Sequence, residues 1–214
     1  MQDVRLQGLY GISESGWYKR PHEAIELLLE AIEGGMKIFQ LREKEGSDEE
    51  ILPLARALWN HCRQKGVLFI LNDRLDLALS LGVDGVHLGI DDAEASRARI
   101  LLPHGIIGIS CYGDLDRAHK AKEEGASYVA FGSCFPSPTK PASSVIDLTL
   151  FKKAQEELAI PLCAIGGIEA QNVGELIHCD MIAVISSLWS GGVAQVRKNA
   201  KGLIQSWREN RERV

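Results

Sequence analysis

Charged side chains of both signs in this sequence have the types needed to bind a diphosphate and a metal ion. The cationic set is Arg42, Lys44 and Lys140, and the acidic set is Asp73 and Asp92. Carboxylates suit Mg²⁺, which commonly bridges one or two protein carboxylates and the phosphates of a substrate. Arginine and lysine pair with the remaining phosphate oxygens. If these side chains converge, they predict a diphosphate site with Mg²⁺.

Small and hydroxyl-bearing residues predict a second site, for a monophosphate. Gly166-Gly167 and Ile185-Ser186 come at the ends of short apolar runs, and Ser137 and Thr139 could add hydroxyl groups. Glycine lets a phosphate approach backbone amides closely, and the N-terminus of a following helix favours an anion. The sequence therefore predicts two phosphate sites that share one opening of the protein, which we call the mouth.

The elements that must position these residues alternate regularly along the chain. Short apolar runs predict eight strands, at 9–12, 36–41, 67–71, 85–88, 106–109, 128–131, 162–165 and 181–185. Amphipathic segments predict a helix after each strand, at 21–33, 47–64, 73–81, 92–101, 114–124, 148–157, 169–177 and 193–210. Ser47 with Glu50 three residues later is typical of a capping box at the start of the second helix.

This alternation predicts one (β/α)8 TIM barrel over residues 1–214. Alternating strands and helices indicate a parallel sheet, and strands that are apolar throughout indicate a sheet covered on both faces. Eight units favour a closed barrel over an open doubly wound sheet. A chain of 214 residues suits a minimal barrel, because roughly 200 residues is the lower limit for this fold.

The barrel interpretation places all these residues at one rim, since active sites of such barrels lie at the carboxyl ends of the strands. Each group alone has a simpler explanation: Asp73 and Asp92 as helix caps, Arg42 and Lys44 as a solvated strand end. Their joint placement favours a ligand site. His87 ends an apolar strand and is interpreted as a hydrogen-bonded core histidine and not as a catalytic base.

Composition and charge exclude several other classes of function. The net charge of −5 does not indicate a general nucleic-acid or membrane-surface binder. The five cysteines include no CxxC pair, so neither a zinc site nor a disulfide framework is indicated. With no signal-like N-terminus and no long apolar run, we expect a cytoplasmic protein whose partners are small molecules.

Six short motifs follow one another along the chain: GLYGI at 8–12, QLREK at 40–44, NDR at 72–74, GVHLG at 85–89, FPSPTK at 135–140 and AIGGI at 164–168. In this order they resemble the motifs of the thiamine phosphate synthase family. They span nearly the whole chain, which makes the resemblance specific. Ile90 stands where the family usually has glutamine, and Ser137 stands where it usually has threonine.

The resemblance implies a role for each matching position. The residues implied to bind hydroxymethylpyrimidine diphosphate are Gln40, Leu41, Arg42, Glu43, Lys44, Asn72, Ser110 and Lys140. The implied Mg²⁺ ligands are Asp73 and Asp92. The residues implied to bind thiazole phosphate are Ser137, Pro138, Thr139, Gly167, Ile185 and Ser186. The catalytic set is Arg42, Lys44, Lys140 and Ser110.

The implied reaction couples the two substrates and releases diphosphate, through a dissociative step that needs no side-chain nucleophile. Three alternatives stay open: a thiazole tautomerase-like isomerase, a non-catalytic phosphate-binding relative, and another phosphate-handling barrel such as a phosphosugar isomerase. The tautomerase-like relative typically lacks the aspartate of NDR and has a histidine after the fifth strand, where this chain has Cys111-Tyr112. We also expect the long loop 132–146 to close over the mouth as a lid.

Overall fold

Eight parallel strands close into a barrel in the computed structural model, which describes residues 4–89, 95–136 and 144–212. The strands are β1 (Gly8–Ile12), β2 (Ile38–Leu41), β3 (Leu68–Asn72), β4 (Gly85–Leu88), β5 (Ile106–Tyr112), β6 (Tyr128–Phe131), β7 (Leu162–Ile165) and β8 (Met181–Val184). Each strand pairs with its neighbours in sequence, and β8 returns to β1 with Gly8 opposite Met181. The predicted TIM barrel is confirmed.

Helices cover the outside of the barrel in the order the sequence predicts, except between β7 and the last helix. They are α1 (Pro21–Glu33), α2 (Asp48–Lys65), α3 (Leu75–Leu81), α4 (Ala95–Leu101), α5 (Leu115–Glu123), α6 (Thr149–Leu158), α7 (Ser186–Trp189) and α8 (Val193–Arg211). The capping box before α2 is present: Ser47 Oγ accepts from the Glu50 amide, and the Glu50 carboxylate accepts from the Ser47 amide. Within the described ranges, no helix is long and apolar enough to cross a membrane.

The helix predicted at 169–177 is wrong, because only one 3₁₀ turn, Val173–Glu175, stands between β7 and β8. The Asn172 side chain accepts from the Glu169 amide at 2.9 Å and donates to Gly167 O at 2.9 Å. Such side-chain bonds give the backbone an alternative to a helix, and Gly174 lowers helix propensity further. The short α7, which directly follows β8, was not predicted as a separate helix.

The strands are buried on both faces, as their apolar composition predicts. Along β2, Ile38 packs inside the barrel, whereas Phe39 and Leu41 pack in the layer between the barrel and the helices. Alternate side chains of a strand point to opposite faces, so each strand contributes to both layers. The barrel interior also holds Tyr10 and Tyr128, two large polar side chains that are 1 % and 0 % exposed.

Candidate active site

Arg42 and Lys44 follow β2 at the rim formed by the carboxyl ends of the strands. The Arg42 amide donates to Ser13 Oγ at 2.8 Å, which fastens this segment to the end of β1. Arg42 is half-buried and Lys44 is exposed. Within the described parts of the chain, neither guanidinium nor ammonium makes a hydrogen bond or ion pair. These two cations are therefore available to an anion.

Glu43 lies between these cations but is buried, with 4 % of its surface exposed. Its carboxylate accepts from the amide of Gly16 at 2.6 Å and from the amide of Tyr18 at 3.1 Å. A buried carboxylate needs such partners, because an unpaired charge is costly away from water. The side chain thus supports the loop after β1, and both of its oxygens are engaged inside the protein. Leu41, in the outer layer, could serve a ligand at the rim only through its backbone.

Arg74 holds the loop that carries Lys44, a role that the sequence did not single out. Its Nη2 donates to Glu43 O at 2.9 Å and to Gly46 O at 3.0 Å, while Nη1 pairs with the Asp48 carboxylate. The planar fork of arginine suits several acceptors at once. Arg74 is the last residue of the NDR motif at 72–74, and that motif was its only signal in the sequence.

Asp73 stands one residue beyond β3 with its side chain exposed. Its backbone is left-handed, with φ 63°, a conformation that aspartate tolerates better than most residues. The Asn72 side-chain amide donates to Asp73 Oδ2 at 2.6 Å, and the Asp73 amide donates to His87 O at 2.9 Å. The N-cap position of α3 is occupied by Arg74. The end of β3 and the hydrogen bonds with Asn72 and His87 together hold the Asp73 carboxylate at the rim.

A chain of hydrogen bonds crosses the barrel interior from β2 to β5. Gln40 Nε2 donates to Tyr10 Oη at 2.7 Å, and Tyr10 and Tyr128 share a bond of 2.8 Å between their hydroxyls. His87 joins Tyr128 Oη through Nδ1 and Ser110 Oγ through Nε2, both at 2.9 Å. These bonds confirm His87 as a hydrogen-bonded histidine of the barrel interior. Gln40 and Ser110, both predicted substrate-binding residues, are the two ends of this chain.

Burial keeps both tyrosines of this chain neutral. Desolvation raises the pKa of Tyr10 and of Tyr128 well above the ordinary value of a tyrosine, because the phenolate would lie in a medium of low dielectric. Neither hydroxyl therefore loses its proton near neutral pH. Ser110 is itself placed by a bulge in β5 and by Arg117 Nε, which donates to Ser110 O at 2.7 Å.

The Gly166-Gly167 turn after β7 lies directly against the segment after β6. Gly167 has φ 63°, and a Cβ there would come within 2.5 Å of the carbonyl oxygens of Phe135 and Pro136. The Phe135 amide also donates to Gly166 O at 3.0 Å. Only glycine allows both the left-handed conformation and this approach. The turn thus holds the start of the loop in which Ser137, Thr139 and Lys140 are found.

Ile185 and Ser186 lie between β8 and the short α7, with Ser186 exposed at the rim. Trp189 of α7 donates from Nε1 to Ile12 O at 2.6 Å, and this bond fixes α7 to the end of β1. Gly167 and Ile185-Ser186 therefore follow adjacent strands, which is the arrangement that a monophosphate grip requires.

Several predicted site residues lie outside the described residues. They are Asp92, Ser137, Pro138, Thr139 and Lys140, and Ile90, which stands where the family usually has glutamine, lies there too. The lid predicted at 132–146 also falls partly on that part of the chain, at 137–143. Within the described ranges, no group of three or more His, Cys, Asp or Glu side chains could by itself hold a metal ion.

The fold and this rim define a (β/α)8 barrel whose polar side chains converge at the carboxyl ends of its strands. A family model described as thiamine monophosphate synthase matches residues 9–188. The chain belongs to the thiamine monophosphate synthase family, and it is an enzyme of the transferase class.

Named relatives and a solved structure agree with this membership. The thiamine-phosphate synthase of Thioalkalivibrio sulfidiphilus is 43% identical over 190 residues, which cover 87% of this chain and 89% of the relative. That of Halorhodospira halophila is 38% identical and covers 98% of this chain and 99% of its own length. The structure of a thiamine phosphate pyrophosphorylase from Pyrococcus furiosus superposes with a TM-score of 0.85 at 34% identity, covering 97% of this chain and 99% of the other.

Proposed function

We propose that this chain is a thiamine phosphate synthase that joins hydroxymethylpyrimidine diphosphate to thiazole phosphate. Thiamine phosphate and diphosphate would be the products, in the biosynthesis of thiamine. One observation carries the proposal: the cations Arg42 and Lys44, whose side chains have no partner among the described residues, stand at the same rim as the exposed carboxylate of Asp73. Relatives of about 40% identity that are named for this activity support it, for example the 41% identical protein of Methylococcus capsulatus.

The reaction needs charge stabilisation and positioning more than it needs a reactive side chain. The bond between the pyrimidine methylene carbon and the diphosphate oxygen breaks, and its electron pair leaves with the diphosphate. The electron-rich aminopyrimidine stabilises the methylene cation, and the thiazole nitrogen supplies the pair for the new C–N bond. No proton has to move in this exchange. The protein therefore acts by holding the leaving group and aligning the two rings.

Arg42 and Lys44 are the residues we assign to the leaving group. Hydrogen bonds made by Glu43 and by Arg74 hold the backbone of this segment in place. The two cations therefore need little reorganisation when the charge on the diphosphate grows. Such preorganised charge is the main source of electrostatic catalysis. Lys140 would add a third cation from the loop after β6, and Ser110 a hydroxyl donor from β5.

The described residues fit Mg²⁺ in the way that diphosphate enzymes use it. Asp73 presents one ordered carboxylate, and a metal that keeps waters and binds substrate phosphates needs only one or two from the protein. Asp92 would supply the second. When bound, Mg²⁺ would neutralise part of the diphosphate charge. Asp73 is kept at the rim for this role by Asn72 and by its left-handed backbone.

The thiazole phosphate would bind on the other arc of the mouth. The backbone amides of Gly167 and Ser186 follow adjacent strands there, and Ser137 to Thr139 would extend the site from the loop that the glycine turn supports. Two phosphates on opposite arcs would bring the thiazole nitrogen towards the pyrimidine methylene. Holding both substrates in this way replaces a collision in solution by a reaction within one complex.

Omission of single components tests the proposed reaction against its rivals. We expect diphosphate release to require both substrates and a divalent cation, and to stop on chelation. Release of diphosphate without the thiazole would indicate a hydrolase instead. Isomerisation of the thiazole without any coupling would indicate the tautomerase-like alternative, for which the chain lacks a histidine at Cys111 or Tyr112.

A further inference from the structure

The hydrogen-bond chain in the barrel interior constrains the direction of every bond in it. We call Gln40, Tyr10, Tyr128, His87 and Ser110 the interior chain. A neutral tyrosine has one hydroxyl proton, and a buried hydroxyl proton without an acceptor is costly, so a buried tyrosine that accepts from one of its two neighbours donates to the other. A neutral imidazole likewise has one donor nitrogen and one acceptor nitrogen. The direction of the hydrogen bond at one end of the interior chain therefore fixes the direction of the bond at the other end.

The direction follows from the Gln40 amide. Gln40 Nε2 donates to Tyr10 Oη, so the Tyr10 proton points to Tyr128 Oη. The Tyr128 proton then points to His87 Nδ1. His87 must carry its proton on Nε2, from which it donates to Ser110 Oγ. Turning the Gln40 amide around would reverse all four bonds together.

The two ends of the interior chain offer opposite hydrogen-bonding groups to a ligand. Gln40 keeps its carbonyl oxygen, which has no hydrogen-bond partner within the described residues, and Ser110 keeps its own hydroxyl proton. The chain thus offers an acceptor from β2 and a donor from β5. Gly108 makes this span possible, because a Cβ at Gly108 would come within 2.1 Å of the Tyr128 ring.

We propose that the interior chain is a polarised positioning relay, with Tyr10, Tyr128 and His87 as positioning residues for Gln40 and Ser110. This inference rests on the proposed function, and it adds how the pyrimidine substrate is recognised. An aminopyrimidine has an exocyclic amine that donates and ring nitrogens that accept. The Gln40 oxygen accepts from the amine, and the Ser110 hydroxyl donates to an acceptor on the same substrate. If the bonds of the relay ran in the opposite direction, neither contact could form. The relay in the direction described therefore selects one orientation of the pyrimidine ring.

The protonated nitrogen of His87 can be measured without any substrate. Long-range ¹⁵N–¹H spectra of histidine-labelled protein distinguish the two neutral tautomers, and a His87→Gln variant assigns the signal among the six histidines. We expect the Nε2–H tautomer in the wild type and a mixture of tautomers in Tyr128→Phe. A wild-type His87 protonated on Nδ1, or on both nitrogens, would overturn the relay.

Steady-state kinetics test what the relay does for the substrate. Because losing one neutral hydrogen bond typically costs a factor of about ten, we expect Tyr128→Phe to raise the KM for the pyrimidine diphosphate by about tenfold. The KM for thiazole phosphate should not change. Tyr10→Phe should have the same effect, and the double variant should be no worse than either single one, because each breaks the same chain.

A purely structural role for the tyrosines predicts a different result. Losses would then add in the double variant and would affect both substrates equally, and that outcome would contradict the proposal. Tyr112→Phe is the matched control, since Tyr112 is 49% exposed and lies outside the relay. If the wild type couples no substrates at all, the proposed function fails, while the histidine spectrum still decides whether the relay exists.

Discussion

Glu43 shows how a residue in a family motif can act behind the site and not in it. The family resemblance implies that Glu43 binds the pyrimidine diphosphate, yet its carboxylate is buried against the amides of Gly16 and Tyr18. In the loop after β1, the backbone amides of Gly16 and Tyr18 need an acceptor. The carboxylate stabilises the loop and thereby the two cations on either side.

We predict that Glu43→Gln lowers stability as well as activity. An amide has one acceptor oxygen, so one of the two backbone donors is left facing an NH₂ group, at a cost of about 1–3 kcal/mol. Urea denaturation measures the loss. Glu45→Gln is the control, because that side chain is 72% exposed and pairs with Lys19 at the surface. A Glu43→Gln protein of unchanged stability with a raised KM would instead indicate direct substrate contact.

Residue types at the site could be identified from the sequence, but their supports could not. Arg42, Lys44 and Asp73 were predicted as site residues because cations and carboxylates at strand ends indicate phosphate chemistry. Arg74 was missed because its partners, Glu43 O and Gly46 O, are backbone oxygens about thirty positions away. Backbone acceptors have no signature in the sequence, and neither has the pairing of Tyr10 with Tyr128.

At the scale of elements, the turns after β7 and β8 carry the proposed monophosphate site. The strands were predicted to within two residues at each end, except β5, because apolar runs are short and clearly bounded. β5 extends three residues beyond its prediction, to Tyr112, through a bulge that places Ser110. The helix at 169–177 was mispredicted because side-chain bonds of Asn172 compete with helical ones.

We predict that Gly167→Ala displaces the segment after β6. The left-handed backbone alone costs about 1–2 kcal/mol for a residue with a Cβ, and two carbonyl oxygens would lie within 2.5 Å of that atom. Both stability and affinity for thiazole phosphate should fall, as measured by thermal unfolding and by calorimetric titration.

Gly202→Ala provides the control for that substitution. Gly202 lies within α8, and no atom would lie within 4 Å of an added Cβ. Alanine should raise stability there by about 0.5–1 kcal/mol, as expected in a helix. A Gly167→Ala protein as stable as Gly202→Ala would show that the turn does not need glycine.

At the scale of the whole molecule, both layers of the barrel are closed to water and contain neutral groups. All five cysteines are buried. Desolvation raises the pKa of Cys111 to about 12, despite the nearby Arg117 guanidinium, and that of Cys134 to about 12. A thiol whose pKa is raised by burial holds its proton more firmly in the folded protein than in the unfolded chain.

We predict that stability falls at alkaline pH. Unfolded cysteines ionise near pH 8.5, so stability is fully present below that value and decreases above it, by up to about 1.4 kcal/mol per pH unit for each buried thiol. Urea denaturation at several pH values between about 7 and 10 measures the slope. A flat profile above pH 8.5 would mean that the thiols ionise equally well in the folded state.

The most direct test of the account is the formation of thiamine phosphate by the purified protein. We would supply hydroxymethylpyrimidine diphosphate, thiazole phosphate and Mg²⁺, and would follow thiamine phosphate and diphosphate together. We expect both products in equal amounts from the wild type. In Asp73→Ala and Lys140→Ala the rate should fall by about 10²–10³, as for other electrostatic groups. A folded wild-type protein that forms no thiamine phosphate would contradict the central claim, and full activity of Asp73→Ala would contradict the metal site.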